Sequence, residues 1–393
     1  MRDVCLIVEG AYPRVTGGVA AWVHQLVSGL PELSFSVLSL VPADGVELPV
    51  VYAAPPGVEV IEVPFDFEHG RDTRAVEAAA PDAAAYHAAS TGFAGAVGAR
   101  VAAARNRPSL LTEHGVAWNE ARHGALVGDG YKHGPHGRAA AAIDRRAWAE
   151  LHEGLAREAY AGAAAITGVS PWTVRLQRSL GARSTLLANG VPLPAAAAAG
   201  EPAAAGERAA ERAGRAPRIG FVGRVAPVKD VVTFLRACRL VADELPGAEF
   251  VVVGPLHHHP LYSERCIAEV ARLGLGDRVE FVGEADPGPW YATLDALVLT
   301  SVSEAQPLVA LEAMAAGVPV VATAVGGCPE LIGGAGLLTR PGDPRSTAAA
   351  VLRVLGDAEL HDRLVAAGRA RVDSSHRLDR VLAGYSALYR TAA

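Results

Sequence analysis

Short apolar runs recur along this chain, and most are followed by a turn and then a segment with helical period. Runs at residues 4–8, 34–41, 58–63, 109–114, 164–167 and 185–188 read as strands in the first half. In the second half they lie at 218–222, 249–253, 279–282, 296–300 and 319–323. Helical periodicity fills the gaps. On one such segment Val19, Trp22, Val23, Leu26, Val27 and Leu30 share a face. Strands alternating with helices build a mainly parallel sheet with helices on both faces. Residues 192–217 interrupt the alternation with Ala, Gly, Glu, Arg and Pro and no hydrophobic face, which marks a linker.

The expected architecture is therefore α/β, two Rossmann-like doubly wound domains facing a central cleft. The division is residues 1–192, a linker at 193–216, a second domain at 217–374, and a C-terminal helix at 375–393 that packs on the first domain. Residues 78–105 are rich in Ala and helical in tendency, and 139–161 reads as helical. Residues 115–137, with many Gly and several His, read as a long loop.

A net charge of -6 gives no basic footprint for nucleic acid, so no nucleic-acid partner is expected. Cys5, Cys238, Cys266 and Cys328 form no CxxC pair and read as reduced, buried thiols in a cytoplasmic protein. No apolar run reaches the roughly 18 residues of a membrane span, and the first strand is too short for a signal peptide. Three further histidines, His123, His133 and His136, and the run His257-His258-His259 lack ligand spacing with acids or Cys, so no metal is expected and the His run reads as a solvated loop. No cofactor is implied.

Ligands of doubly wound sheets bind beyond the carboxyl ends of strands. Four loops fall there: 10–18, 112–115, 223–229 and 301–304. In the last, strand 296–300 runs into Thr300-Ser-Val-Ser-Glu-Ala-Gln-Pro-Leu-Val-Ala-Leu-Glu312, and a helix runs out through Leu308, Leu311 and Met314 with Pro307 in its first turn. Glu304 then lies just outside a helix N-terminus and Glu312 about a turn and a half inside the same helix. Free N–H groups and the helix dipole suit phosphate, and carboxylates suit sugar hydroxyls. A solvated pair of surface glutamates is the plain alternative. In the third loop, Gly223-Arg-Val-Ala-Pro-Val-Lys229, Arg224 and Lys229 put two cations at a strand-to-helix turn, where they would neutralise a departing diphosphate.

These residues resemble the retaining glycosyltransferases of family 4, which have the GT-B fold. The resemblance spans nearly the whole chain and is strongest over 220–332. It assigns Gly223, Arg224 and Lys229 to the donor diphosphate, Glu304 to hydroxyls of the donor hexose, and Glu312 to the nucleotide ribose. Gly17 and Gly18 match the glycine pair that approaches phosphate and acceptor, and His114 the histidine beside the transferred sugar. Leu308 and Val309 belong to the donor stretch, and the backbone at Val282 and Gly283 is expected to meet the base. Val8-Glu-Gly-Ala-Tyr-Pro13, Thr112-Glu-His-Gly115, Ser303-Glu-Ala-Gln-Pro-Leu308 and Gly326-Gly-Cys-Pro-Glu330 are similar to the PelF-like exopolysaccharide subgroup. Ala305 stands where the wider family commonly has Gly, which leaves the parts of Ala305 and Gln306 open.

The resemblance implies a metal-independent hexosyltransferase that moves a hexose from a UDP-sugar, UDP-glucose first, to a saccharide or glycosylated small-molecule acceptor in exopolysaccharide synthesis. It also implies membrane-bound synthase partners, and so a place in the cytoplasm, peripheral to the inner membrane face. Glu113 reads as structural or acceptor-side, and Trp22 and Trp118 as core anchors rather than sugar platforms. Rival readings are a sugar-nucleotide epimerase or a phosphorylase on the same fold, and a catalytically silent nucleotide-sugar-binding subunit.

Overall fold

A computed structural model describes residues 1–10, 12–43, 49–67, 73–122, 145–193 and 214–392. Most of the expected linker, residues 123–137 of the expected loop with His123, His133 and His136, and the start of the helix expected from 139 lie outside the described residues. The chain divides into two compact units, Met1–Ala188 with Val381–Ala393, and Asn189–Arg380. Each is built on one parallel sheet, the α/β class expected from the alternation of elements.

In the first unit the strands are β1 (Arg2–Glu9), β2 (Phe35–Pro42), β3 (Glu59–Phe65), β4 (Ala83–Ala88), β5 (Ser109–Glu113), β6 (Ala165–Gly168) and β7 (Ser184–Leu186). They lie in the order β3-β2-β1-β4-β5-β6-β7, with β1 paired in parallel to both β2 and β4. Residues 78–105 are not one helix. They contain the end of a short helix (Arg74–Ala79), then β4, then a helix at Phe93–Ala104. Ala83-Ala-Ala-Tyr-His-Ala88 has almost no β-forming residues, yet it takes a central place where both faces are covered and small side chains let helices approach. The expected loop after residue 115 also begins with a helix, Ala117–Arg122, whose Trp118 is buried.

The C-terminal helix (Leu378–Ala392) returns Val381, Tyr385 and Tyr389 to the core formed by β1, β2 and the helix Gly18–Gly29. Tyr385 packs edge-on to Trp22 with centroids 5.5 Å apart. The Tyr389 hydroxyl lies 2.8 Å from His87 Nδ1, and His87 Nε2 lies 2.8 Å from Thr112 Oγ1.

In the second unit the strands are β8 (Arg218–Val222), β9 (Glu249–Val253), β10 (Val279–Gly283), β11 (Ala296–Leu299), β12 (Val320–Thr323) and β13 (Gly336–Thr339), in the order β10-β9-β8-β11-β12-β13. All their pairings are parallel. The helices Val231–Glu244 and Pro344–Gly356 bury Phe234, Leu235, Val351 and Val354 against the sheet. The four cysteines are free and buried. Among the described residues no helix is long and apolar enough to cross a membrane.

Candidate active site

In each sheet the chain first winds one way from a central strand and then returns to its other side. The switch falls between β1 and β4 in the first unit, and between β8 and β11 in the second. Such a switch opens a crevice at the strand carboxyl ends where ligands settle. The two crevices are built differently.

In the first unit the chain fills its own crevice. Glu9, the last residue of β1, accepts hydrogen bonds at Oε1 from Ser90 Oγ (2.9 Å) and from the Ala94 N–H (3.0 Å). Its carboxylate thus takes the place an anion would occupy at the N-terminus of the helix Phe93–Ala104. A Cβ at Gly92 would stand 2.3 Å from Glu9 Oε1, so a side chain there would push the carboxylate aside.

In the second unit the crevice holds cations and N–H groups. After β8 the chain passes Gly223 and Arg224, makes a single 3-10 turn at Pro227–Lys229, and enters the helix Val231–Glu244. Asp230 caps that helix through Thr233, with its own backbone left-handed at φ 45°. After β11, residues 300–307 lead to the helix Leu308–Ala316. Pro307 is not in its first turn as expected but immediately before it, with extended ψ 113°, so Leu308 and Val309 are the first helical residues. Leu308 is buried and Val309 half-buried.

The two loops are sewn together. The Val302 N–H donates to the Val228 carbonyl (2.8 Å), and Thr300 Oγ1 to the carbonyls of Lys229 (3.1 Å) and Asp230 (2.8 Å). Lys229 Nζ donates to Glu304 Oε1 at 2.5 Å, and Ser301 Oγ donates to the same oxygen at 2.6 Å. The Lys229 side chain is 20% exposed and that of Glu304 9%, so this is a mostly desolvated ion pair. Gly326 and Gly327 close over the Glu304 carbonyl, which accepts the Gly327 N–H at 2.9 Å. A Cβ on Gly326 would meet that carbonyl at 1.8 Å.

Three adjacent strands end in Val-Gly: Val222-Gly223, Val253-Gly254 and Val282-Gly283. All three glycines have positive φ, at 145°, 149° and 80°. The Gly254 N–H donates to the Gly283 carbonyl, and a Cβ on Gly254 would stand 2.0 Å from the Gly223 carbonyl. The strand ends therefore close into a shelf of bare backbone. Val282, half-buried, sits at a register irregularity between Phe281 and Gly283. This repeat is visible in the sequence and escaped the reading of it.

Glu312, on the helix Leu308–Ala316, is half-buried. Its Oε2 accepts a 2.7 Å hydrogen bond from the Tyr291 hydroxyl. Burial pushes its carboxyl above the usual range, the Tyr291 bond opposes this, and nearby Asp286 adds to it. Ala305 is buried. The Gln306 side chain turns to the backbone: its Oε1 accepts the Asn189 N–H at 2.6 Å, while His376 Nδ1 lies 3.0 Å from the Asn189 carbonyl.

The remaining expected residues lie in the first unit. Gly17 is extended (φ 172°), with nothing within 4 Å of a Cβ position, and Gly18 opens the helix Gly18–Gly29. His114 follows β5 and lies 4.5 Å from the Trp22 ring, centroid to centroid. Its Nε2 is buried and has no hydrogen-bond partner among the described residues, and burial holds the imidazole neutral down to about 3. Its neighbour Glu113 is buried, accepting from Thr91 and Tyr160, and burial pushes its carboxyl up to about 7. Trp118 lies under the Arg122 guanidinium rather than presenting an open face. Of the His run, His258 is buried rather than solvated and packs edge-on to His257, in a loop tied to the first turn of the helix Pro260–Arg272 by the Ser263 hydroxyl, which donates to the Leu256 carbonyl. Among the described residues no cluster of His, Cys, Asp or Glu has the form of a metal site.

Residues 216–357 match the family model of glycosyl transferases group 1. Residues 2–77 and 69–185 match a domain of unknown function (DUF3492). The D-inositol 3-phosphate glycosyltransferase of Streptomyces scabiei is 38% identical over 168 residues, which cover 39% of this chain and 37% of that relative. The N-acetyl-alpha-D-glucosaminyl L-malate synthase of Bacillus anthracis is 37% identical over 123 residues, covering 30% of this chain and 32% of that one. The chain thus spans about a third of the length of the curated relatives it matches. Sucrose-phosphate synthase of Thermosynechococcus elongatus shares the fold at a TM-score of 0.76, with 22% identity and 99% of both chains covered. Anabaena HepE, solved in complex with UDP and glucose, gives 0.73 at 18% identity over 100% of both chains. Residues 216–357, the segment that carries Lys229, Glu304 and Glu312, are thus similar to the group 1 glycosyl transferases.

Proposed function

We propose that the chain is a retaining hexosyltransferase that takes its sugar from a UDP-sugar, UDP-glucose first, and passes it to a saccharide acceptor in exopolysaccharide synthesis. One observation carries the reading. Lys229 and Glu304 meet at the switch of the second sheet, beside a helix N-terminus and a backbone shelf, while the equivalent crevice of the first sheet is taken by Glu9. The donor then belongs to the second unit. Its diphosphate lies along residues 223–229 and the N–H groups of Leu308 and Val309, its hexose meets Glu304, its ribose meets Glu312, and its base lies by Val282 and Gly283. His114, Gly17 and Gly18 serve the sugar and the acceptor. The name of the Anabaena neighbour's complex, with UDP and glucose, agrees with that donor.

In the proposed reaction the bond from the anomeric carbon to the β-phosphate oxygen breaks, and its electrons pass to the phosphate. The acceptor hydroxyl attacks from the same face, and its proton goes to the departing phosphate. Charge grows on that phosphate in the transition state, so preorganised cations and N–H groups contribute most of the rate. Arg224 and Lys229 stand where a metal would otherwise neutralise the diphosphate, and the sequence holds no Asp-x-Asp clamp. Membrane-bound synthase partners would receive the product, with the chain at the cytoplasmic face.

The test is a panel of nucleotide sugars and oligosaccharide acceptors, read by UDP release and by NMR of the product anomer. An α-linked product from an α-linked UDP-sugar supports the reading. An inverted product, an epimerised nucleotide sugar, or UDP binding without turnover across the panel contradicts it.

A further inference from the structure

Tyr291 ends a single-turn helix, Gly288–Tyr291, and is 3% exposed. Its hydroxyl reaches across 21 residues of sequence to Glu312 Oε2 at 2.7 Å. A half-buried carboxylate with the negative Asp286 near it is driven toward the neutral acid, in which one oxygen becomes a donor. A hydroxyl donated to Oε2 opposes that, because it stabilises the charged form. It also fixes the plane of the carboxylate by committing one lone pair, leaving Oε1 and the second lone pair of Oε2 as charged acceptors. A vicinal diol offers two donors at matching spacing.

We propose that Tyr291 is a positioning residue that makes the Glu312 site selective for a nucleotide carrying both ribose hydroxyls. This rests on the proposed use of Glu312 at the ribose. Tyr291 touches no ligand itself; it holds Glu312 as an ionised acceptor turned toward the 2′- and 3′-hydroxyls. Without that bond the carboxylate can rotate and take up a proton, and its preference for the diol falls.

Calorimetric titration of the full chain with UDP and with 2′,3′-dideoxy-UDP at pH 7.5, for wild type, Tyr291→Phe and Glu312→Gln, tests this. The Phe variant keeps the buried ring and removes only the hydroxyl. We expect UDP to bind Tyr291→Phe about tenfold more weakly than wild type. Binding of the dideoxy nucleotide should change by less than about twofold. Glu312→Gln should show the same pattern, and the double variant should add little to it. Equal losses for both nucleotides would mean that Tyr291 only supports the fold, and an unchanged affinity for UDP would remove it from the site; either overturns the proposal. If wild type binds neither nucleotide, the donor reading itself fails; if wild type binds both equally, Glu312 does not read the ribose and this inference alone falls.

Discussion

Lys229 Nζ and Glu304 Oε1 lie 2.5 Å apart, although one follows β8 and the other β11. The pair spans the point where the second sheet reverses its winding order. Ser301 is the further donor on the same oxygen. The cation is therefore held in place by the protein itself, and the cost of ordering its long side chain is already met.

Lys229→Ala should lower kcat about 100- to 1000-fold, the range seen when one preorganised donor to a developing charge is removed. Donor KM should change little by comparison. Steady-state kinetics with UDP-glucose and a productive acceptor measure both constants, and a raised KM with normal kcat would take Lys229 away from the departing phosphate.

Gly326→Ala should disturb the loop at 300–307 more than it disturbs the rest of the unit. The added Cβ meets the Glu304 carbonyl, a backbone atom that cannot rotate away, and the left-handed φ of 55° adds to the cost. A loss of at least about 2 kcal/mol in denaturant unfolding is expected, with weakened UDP binding in the protein that remains folded. Wild-type stability and affinity would show that the loop yields.

Glu113 should leave a mark on the pH dependence of stability. Its carboxyl is pushed from 4.5 to about 7 by burial, against the hydrogen bonds from Thr91 and Tyr160. Below about 4.5 it is protonated in folded and unfolded chains alike. Between there and about 7 the unfolded chain releases the proton and the folded chain keeps it, so stability falls as pH rises, and above 7 the term is flat. His87 and His114, both held neutral down to about 3, act with the opposite sign below 6.5. Comparing wild type with Glu113→Gln cancels them. The wild type should lose up to about 3 kcal/mol more than the variant between pH 4.5 and 8 in urea melts; equal losses would show that Glu113 is ionised in the folded protein.

His114→Ala should slow transfer at least about tenfold while leaving UDP affinity near wild type, because this side chain stands in the first unit and the proposed reading assigns the nucleotide to the second. As the imidazole is neutral across the working range, the wild-type kcat profile should show no inflection near 6.5 that the variant lacks. An unchanged rate would separate His114 from the sugar.

The alternation of elements was readable because buried parallel strands are short apolar runs with clear turns. β4 was not, since a central strand of alanines carries helix-forming composition and is selected by the space around it. Glu304 and Lys229 were found from loop position and type of residue, but their direct pairing depends on the fold of two loops 75 residues apart. Tyr291 was mute for the same reason, and Gln306 was named within the donor stretch without its partner: a hydroxyl on a one-turn helix and an amide that turns to Asn189 acquire meaning only from partners distant in sequence. The Val-Gly repeat at three strand ends was legible and went unread. Glu9 was quoted as part of a motif, but its place at a helix N-terminus could not be seen without β4.

A crystal structure of the full chain soaked in UDP tests the central claim most directly. The uridine diphosphate should lie at the carboxyl ends of β8 and β11, with its phosphates against residues 223–229 and the first turn of Leu308–Ala316, and its ribose on Glu312. A nucleotide seated instead at the ends of β1 and β4, with Glu9 displaced from Ser90 and Ala94, would contradict it.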